Sequence, residues 1–409
     1  MFEWLPWIFL AALAFFGMGW LVARIDIKQL LSESRALPQS YFKGLNFLMA
    51  EQPDKAIEAF IEVTKQQPEA IELQFALGSL FRKRGEVDRA IRIHQHLSER
   101  ADLPAEQRTA ALLDLALDYQ KAGLLEHAER ILCDISEKSV GNRKQQLQTL
   151  KLLLEIYVQE RSWQKAITTA QRMQASDDSG AEYAKEIANY YCESALHAHQ
   201  QGLDDEARGH LNAALAANEK CVRANLMSGE WLAGERKHEK AIEVWRRIEQ
   251  QNPAFLGLMA DQILASYEAV GKTEQGLTEL RALQQQYPAL DLFNAIFHAT
   301  MKSEGATAAY HLVKLDLRQN PTLVGLDRLL EAELSAAPDE KKADLRVLKD
   351  LVHTHSSRLA VYLCGNCGFK AKQFYWQCPA CAGWETFPPR RTAEYDTSDR
   401  HLARVQTEG

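Results

Sequence analysis

The chain has 409 residues, of which 46% are hydrophobic and 25% are charged, and its formal net charge is −7. This composition excludes a wholly disordered protein and leaves room for several domains or one extended repeat array. Nucleic-acid-binding proteins usually concentrate basic charge on one face, whereas here both signs are mixed within an acidic total. We therefore expect no nucleic-acid partner.

The first predicted element is an uncharged apolar stretch, Trp4–Ala23. It matches the roughly 20 residues that a helix needs to cross the hydrocarbon core of a membrane. No small-x-small cleavage site follows it, which favours a retained anchor over a cleaved signal peptide. The basic residues Arg24 and Lys28 come next, and positive charge beside a span is typical of its cytoplasmic side. The sequence thus predicts a single-pass anchor over residues 1–23 and a juxtamembrane linker over 24–36, with the rest of the chain in the cytoplasm.

The segment Tyr41–Pro68 has the pattern of a helical hairpin. Apolar residues recur at three- and four-residue steps on both sides of a polar turn, which predicts two amphipathic helices. Gly44 and Ala56 are small residues at the positions where these helices must approach each other. Pro68 has no backbone N–H to donate and is expected to end the second helix.

The same landmarks return along the chain at intervals of roughly 34 to 41 residues. Gly78 with Ala90 and Gly229 with Ala241 are two clear copies. The pattern resembles the tetratricopeptide-repeat family over residues 37–322, with about eight repeats. Such arrays stack into a curved solenoid whose concave face is lined by the first helix of each repeat. We expect protein clients to bind to that face, although the sequence does not single out individual contact residues.

Two further helical segments follow the repeats within residues 323–357. Their apolar residues again recur at helical spacing, and acidic residues open the second helix near the positive end of its dipole. We interpret them as capping helices that close the solenoid and dock the domain that follows.

The cysteines divide into a scattered group and a cluster. Of seven cysteines, three are spread among the helices, where a small buried hydrophobe is the usual role. The other four, Cys364, Cys367, Cys378 and Cys381, form two Cys-x-x-Cys pairs close together. This spacing is typical of a tetrahedral four-thiolate site, which suits zinc and also accommodates a single iron. We predict one divalent metal at these four residues, with zinc slightly favoured over iron.

The segment 358–389 around these cysteines is aromatic-rich and resembles a rubredoxin-type knuckle domain of the zinc-ribbon kind. It is too short to bury a sufficient core by itself, so the metal is expected to contribute to its folding. It departs from that family at Ala382, where a glycine usually follows the second knuckle. The polar residues 390–409 are predicted to form a mobile tail.

No enzyme signature is present in the sequence: we find no H-E-x-x-H run, phosphate-binding glycine loop or nucleophile elbow. Histidine pairs such as His94 with His96 are two residues apart, which points their rings to nearly opposite sides of a helix. The predicted fold class is therefore an all-α tetratricopeptide-repeat solenoid with an N-terminal transmembrane helix and a small rubredoxin-like domain, and we predict no enzymatic activity.

This combination of anchor, repeats and CGNCGFKAKQFYWQCPACAGWETF segment resembles the lipopolysaccharide assembly protein B family of Gram-negative bacteria. The resemblance implies an inner-membrane regulator of lipopolysaccharide synthesis that assists the membrane protease FtsH in degrading the deacetylase committing precursors to lipid A. It also implies that the four clustered cysteines are metal ligands and that the repeats are the docking surface.

Two other functions are compatible with the sequence. One is a scaffold that gathers biosynthetic enzymes at the membrane without affecting proteolysis. The other is electron transfer by a rubredoxin-like iron site, which would require a reversible one-electron reduction. A homo-oligomer formed through the anchor or the repeats is also compatible with the sequence.

Overall fold

The computed structural model of the protein describes residues 39–50, 52–66, 70–138, 141–176, 180–287, 292–319, 321–356 and 362–388. The predicted anchor, linker and tail lie outside these residues. Within the described ranges, none of the helices combines the length and the apolar character that a membrane crossing requires.

The described chain is a succession of short helices that ends in a small two-stranded sheet. The helices are α1 (Gln39–Met49), α2 (Pro53–Gln66), α3 (Ile71–Arg84), α4 (Val87–Glu99), α5 (Ala105–Lys121), α6 (Leu125–Glu137), α7 (Arg143–Gln159), α8 (Trp163–Ser176), α9 (Gly180–Gln200), α10 (Asp204–Ala217), α11 (Val222–Gly234), α12 (His238–Gln251), a 3-10 helix (Pro253–Leu258), α13 (Ala260–Ala269), α14 (Thr273–Gln286), α15 (Phe293–Ser303), α16 (Ala306–Gln319), α17 (Leu323–Ala336) and α18 (Asp339–Ser356). The strands β1 (Tyr362–Leu363) and β2 (Lys370–Ala371) pair antiparallel, with Tyr362 opposite Ala371.

The chain divides into two compact units, residues 1–160 and 161–409. In the first unit, consecutive helices pack as the hairpins α1–α2, α3–α4 and α5–α6. Local sequence fixes where these helices begin and end. Gly85 ends α3 in the left-handed conformation, with φ at 86°, and Asn142 opens α7 in a capping box with Gln145.

The small residues predicted at helix crossings lie where a larger side chain would not fit. A Cβ on Gly44 would overlap the ring of Phe60, and a Cβ on Gly78 would lie 2.5 Å from Nε2 of His94. His94 is fully buried and its Nδ1 lies 2.5 Å from Oδ2 of Asp118. His94 is therefore a core residue with a carboxylate partner.

The second unit repeats the same construction from α9–α10 to α17–α18. Its largest core cluster contains Trp245, Phe255 and Tyr267, each 2% exposed or less. Trp245 packs against Gly229 and donates its indole N–H to the carbonyl of Leu226. The all-α repeat architecture expected from the sequence is therefore the observed fold, and the cysteine-rich segment forms the ribbon, residues 362–388, within this second unit.

Candidate metal centre and its docking surface

Each Cys-x-x-Cys pair of the ribbon lies in a tight backbone turn. In the first turn, the N–H of Gly368 donates to the carbonyl of Cys364 at 3.0 Å; in the second, Ala382 donates in the same way to Cys378 at 2.8 Å. Gly368 and Ala382 occupy equivalent positions, and both have positive φ, 73° and 57°. The left-handed conformation is readily adopted by glycine and is strained for other residues, which explains why glycine is usual at the position of Ala382.

These turns bring the four predicted cysteines together. All four sulfurs lie within 4.8 Å of one another. The Sγ atoms of Cys364 and Cys381 are 3.8 Å apart, and those of Cys367 and Cys378 are 3.7 Å apart. A tetrahedral ion with metal–sulfur bonds of about 2.3 Å requires sulfurs separated by about 3.8 Å. The cluster is therefore consistent with one metal ion, and these distances are too long for disulfides.

The electrostatics of the sulfurs also fit a cation. Burial raises the pKa of the Cys364 thiol, but hydrogen bonds with Thr386 and with backbone N–H groups outweigh burial and lower the pKa to about 6. At Cys367 the Phe369 N–H lowers the thiol pKa, whereas burial and the neighbouring thiols raise it to about 12. The neighbouring thiols thus oppose ionisation of Cys367, and a divalent ion at the centre of the cluster would offset this effect.

The metal cluster is buried on one side and exposed on the other. Cys364 and Cys378 are 2% and 1% exposed and pack with Phe387 and Ala371 into the small core of the ribbon. Cys367 and Cys381 are exposed. A metal bound to these sulfurs would tie the two turns together, which is the contribution expected of a structural site in so small a domain.

The ribbon packs against the repeats through aromatic rings. Trp376 stacks on Phe255 of the 3-10 helix with ring centroids 5.8 Å apart and 16° between their planes. Trp384 meets Tyr190 of α9 edge to face at 6.0 Å. Phe374 and Trp376 thereby join the largest core cluster of the second unit. The ribbon is thus continuous with the hydrophobic core of the repeats.

A buried polar cluster accompanies these rings. The Glu385 carboxylate accepts a hydrogen bond of 2.9 Å from the side-chain amide of Asn189 on α9. Arg223 on α11 lies 5.5 Å from the ring centres of both Trp376 and Trp384, a distance typical of cation–π contacts. Burial raises the pKa of Glu385, although Asn189 and the positive charge of Arg223 act in the opposite direction.

The docking site differs from the one expected from the sequence. The capping helices were expected to dock the ribbon, and they do form as α17 and α18, but the ribbon side chains described above contact α9, α11 and the 3-10 helix. The helices α9 and α11 each open a hairpin, and the 3-10 helix precedes the first helix of the next one. The ribbon therefore lies on the first-helix side of the repeats.

Sequence reasoning did not identify Asn189, Arg223 or Glu385. One signal was available: α11 contains only two charged residues, Arg223 and Glu230, and Arg223 is flanked by Val222 and Ala224. A charge within such an apolar run predicts a buried partner. That partner is Glu193 on α9, whose carboxylate accepts a hydrogen bond of 2.7 Å from the Arg223 guanidinium.

A second feature of the first-helix side is a cavity of about 420 Å³ between α13 and α15. Apolar side chains form part of its wall, including Leu264 and Ala295, and polar side chains such as Asp261 and His298 lie around it. The sequence predicted no individual contact residue on the repeats, and the cavity lies between helices of the side where clients were expected to bind.

The ribbon matches a family model described as Rubredoxin metal binding domain over residues 362–389, and a model described as Tetratricopeptide repeat matches residues 43–95 and 192–254. The chain is 33% identical over 379 residues to Lipopolysaccharide assembly protein B of Escherichia coli (strain K12), which covers 91% of this chain and 95% of that protein. It is 27% identical over 393 residues to the Haemophilus influenzae protein of the same name, covering 92% and 96%. Among solved structures, Naa15/Naa10 bound to HypK-THB gives a TM-score of 0.36 at 17% identity, over 77% of this chain and 53% of that chain.

Proposed function

Because the chain belongs to the lipopolysaccharide assembly protein B family, we propose that it is a non-enzymatic adaptor that regulates lipopolysaccharide synthesis at the bacterial inner membrane. In this proposal the repeats bind protein clients. The principal client is the deacetylase that commits precursors to lipid A, and binding promotes its degradation by the membrane protease FtsH. In this proposal the chain is divided as the sequence suggests, with an anchor at 1–23, repeats at 37–322, capping helices at 323–357 and the metal domain at 358–389.

The observation that carries this proposal is the 33% identity to a lipopolysaccharide assembly protein along 91% of the chain. The match spans the repeats and the ribbon together, and repeats of this kind are protein-binding surfaces in general. Neither part contributes a recognised catalytic motif, which supports an adaptor over an enzyme.

The structure of the second unit suggests how a client would be bound. The ribbon occupies the first-helix side at α9 and α11, and the cavity between α13 and α15 lies on first helices further along the same unit. We place the client surface at this cavity and at the neighbouring ribbon edge. The metal, held by Cys364, Cys367, Cys378 and Cys381, maintains the shape of that edge and takes no part in a reaction.

The proposed mechanism is an increase in effective concentration. An anchor at residues 1–23 would confine the adaptor, and hence its client, to the membrane that contains the protease. Confinement of two binding events in one patch converts a weak encounter into a nearly intramolecular one. No new contact between client and protease is required.

The test is the half-life of the deacetylase in cells depleted of this protein, with total lipopolysaccharide measured in parallel. We expect depletion to lengthen the half-life and to raise lipopolysaccharide. Complementation with the full chain should restore both values, whereas a form lacking residues 1–23 should not, because only confinement is removed.

An unchanged half-life would contradict the proposal. If lipopolysaccharide nevertheless changed, the scaffold function would be favoured. A reversible one-electron reduction of the purified protein would instead favour the electron-transfer function.

A further inference from the structure

The second capping helix, α18, is the least buried helix of comparable length. It spans 18 residues and contains no fully buried side chain. It packs on α17, where the Lys349 ammonium lies 3.6 Å from the carboxylate of Glu331. His353 reinforces this contact through its Nδ1, 3.0 Å from the buried carboxylate of Asp327.

The half-buried residues of α18 define the face that packs on α17. Leu345, Lys349 and Val352 belong to it, at four- and three-residue steps. A second stripe lies about 100° around the helix, at 100° per residue. It consists of four exposed residues, Asp344, Leu348, Leu351 and His355.

This second stripe, the outer stripe, is unusual for the end of a repeat array. Terminal helices of such arrays usually present a polar outer face, because they have no further repeat to pack on. Here Leu348 and Leu351 are 51% and 58% exposed, and the adjacent Val347 is 69% exposed. Three neighbouring exposed apolar side chains on one helix face indicate that another surface covers them.

The order of residues in the outer stripe indicates which partner surface covers it. The steps between its members are four, three and four residues, so the spacing is the same in both chain directions. The chemistry is self-complementary as well, because the two leucines are central and an acidic and an imidazole side chain stand at opposite ends. An antiparallel copy of the stripe therefore matches the original position by position.

We propose that the outer stripe of α18 is a homodimer interface in which two copies of this chain pack their α18 helices antiparallel. Leu348 packs on Leu351 of the second copy, and Asp344 accepts a hydrogen bond from the imidazole of His355 of the second copy. Twofold symmetry makes each of these contacts twice, as in any isologous interface. Packing between residues at three- and four-residue steps on two facing helices is the usual geometry of helix–helix contacts.

The size of the contact sets its strength. One helix from each copy buries much less than the roughly 1,600 Å² of a standard interface. The dimer is therefore expected to be weak and concentration-dependent, with its affinity dominated by the central leucines. Exposed substitutions at these positions should leave the monomer folded, since they remove no buried contact.

The experiment uses the full chain in detergent, with the dimer dissociation constant measured by analytical ultracentrifugation across a concentration series. Leu348→Glu places two carboxylates at the centre of the interface and is expected to weaken the dimer at least about tenfold. Leu315→Glu is the matched control, because Leu315 on α16 is 63% exposed and lies outside the stripe. Circular dichroism of each variant establishes that helix content is unchanged.

An exchange of the terminal pair tests the antiparallel register. His355→Asp alone sets two carboxylates against each other and should weaken the dimer, as should Asp344→His alone. The double variant restores an acid–imidazole pair at each end, and its dissociation constant should return to within about twofold of the original, within the usual error of additivity.

Three results would overturn the proposal. A wild-type chain that stays monomeric at every concentration would mean that the stripe is covered by a different partner. Equal effects of Leu348→Glu and Leu315→Glu would mean that the interface lies elsewhere. A double variant as weak as the single ones would exclude the antiparallel pairing.

Discussion

Replacing Asn189 by alanine should loosen the ribbon from the repeats without unfolding either. The Asn189 side chain is fully buried, and its amide donates to the carboxylate of Glu385 at 2.9 Å. Glu385 is itself largely buried, so the variant leaves a carboxylate in the interface without this donor. Hydrogen bonds to charged groups contribute about 1.5–3 kcal/mol. The free energy of undocking should fall by this amount, which is roughly a 10- to 150-fold change in the equilibrium constant.

The assay is hydroxyl-radical footprinting across a urea series, read at the indole of Trp384. This ring is 6% exposed when it packs on Tyr190, and undocking would expose it to oxidation. Linear extrapolation of the exposure transition gives the free energy of undocking in water. Ser194→Ala is a matched control on the same helix, because its hydroxyl bonds only to the backbone carbonyl of Tyr190 among the contacts described.

A double-mutant cycle tests the cause. Glu385→Gln retains a side-chain oxygen that can accept from Asn189 and removes the charge. The cost of Asn189→Ala should therefore be smaller in the Glu385→Gln background, by about 1 kcal/mol, the difference between charged and neutral hydrogen bonds. Equal costs in the two backgrounds would refute the reasoning, since the charge on Glu385 would then be irrelevant to docking.

Three further predictions follow from the second unit. Burial raises the pKa of Glu385 above its ordinary value of 4.5, so docking of the ribbon should be strongest below pH 4.5 and weaken as pH rises through the raised pKa. Glu385→Gln should remove this part of the pH dependence. Parallel pH profiles of the variant and the original protein would contradict the prediction. Cys378→Ser should unfold the ribbon locally and abolish stoichiometric metal binding. Far-ultraviolet circular dichroism should stay nearly constant, because each repeat is stabilised by its neighbours. A large loss of helix signal would disprove this prediction. Gly229→Ala should lower the melting temperature by several degrees, since the added Cβ overlaps the buried indole of Trp245. Gly209→Ala is the control: a Cβ added there meets no atom within 4 Å, so the variant should be neutral or stabilising.

The helical hairpins could be predicted from the sequence because their determinants are local and repeat. The steps between apolar residues define the packed face of each helix, and glycines mark several of the positions where a large side chain crosses. Gly44 against Phe60 is one example and Gly229 against Trp245 another. What the pattern could not provide was the identity of the opposing side chain, which depends on how the two helices are rotated in the packed hairpin.

The metal cluster was predictable for a similar reason. Each Cys-x-x-Cys pair forms its own turn from adjacent residues, so the spacing alone brings two sulfurs together. The ribbon's own turns then bring the pairs together within a short segment. The unusual residue of the second turn, Ala382, was also visible in the sequence, and its positive φ of 57° gives the physical reason why glycine is usual at that position.

The position of the ribbon was decided only by the tertiary structure. Its contacts join Glu385 to Asn189 and the ring of Trp376 to Phe255, residues that are far apart along the chain. No periodicity connects such positions, because the contact depends on the summed rotation of every intervening hairpin. The sequence by itself therefore determined the helices, their small crossing residues and the four-cysteine cluster, while the folded chain determined which surface the ribbon covers and which stripe of α18 remains exposed.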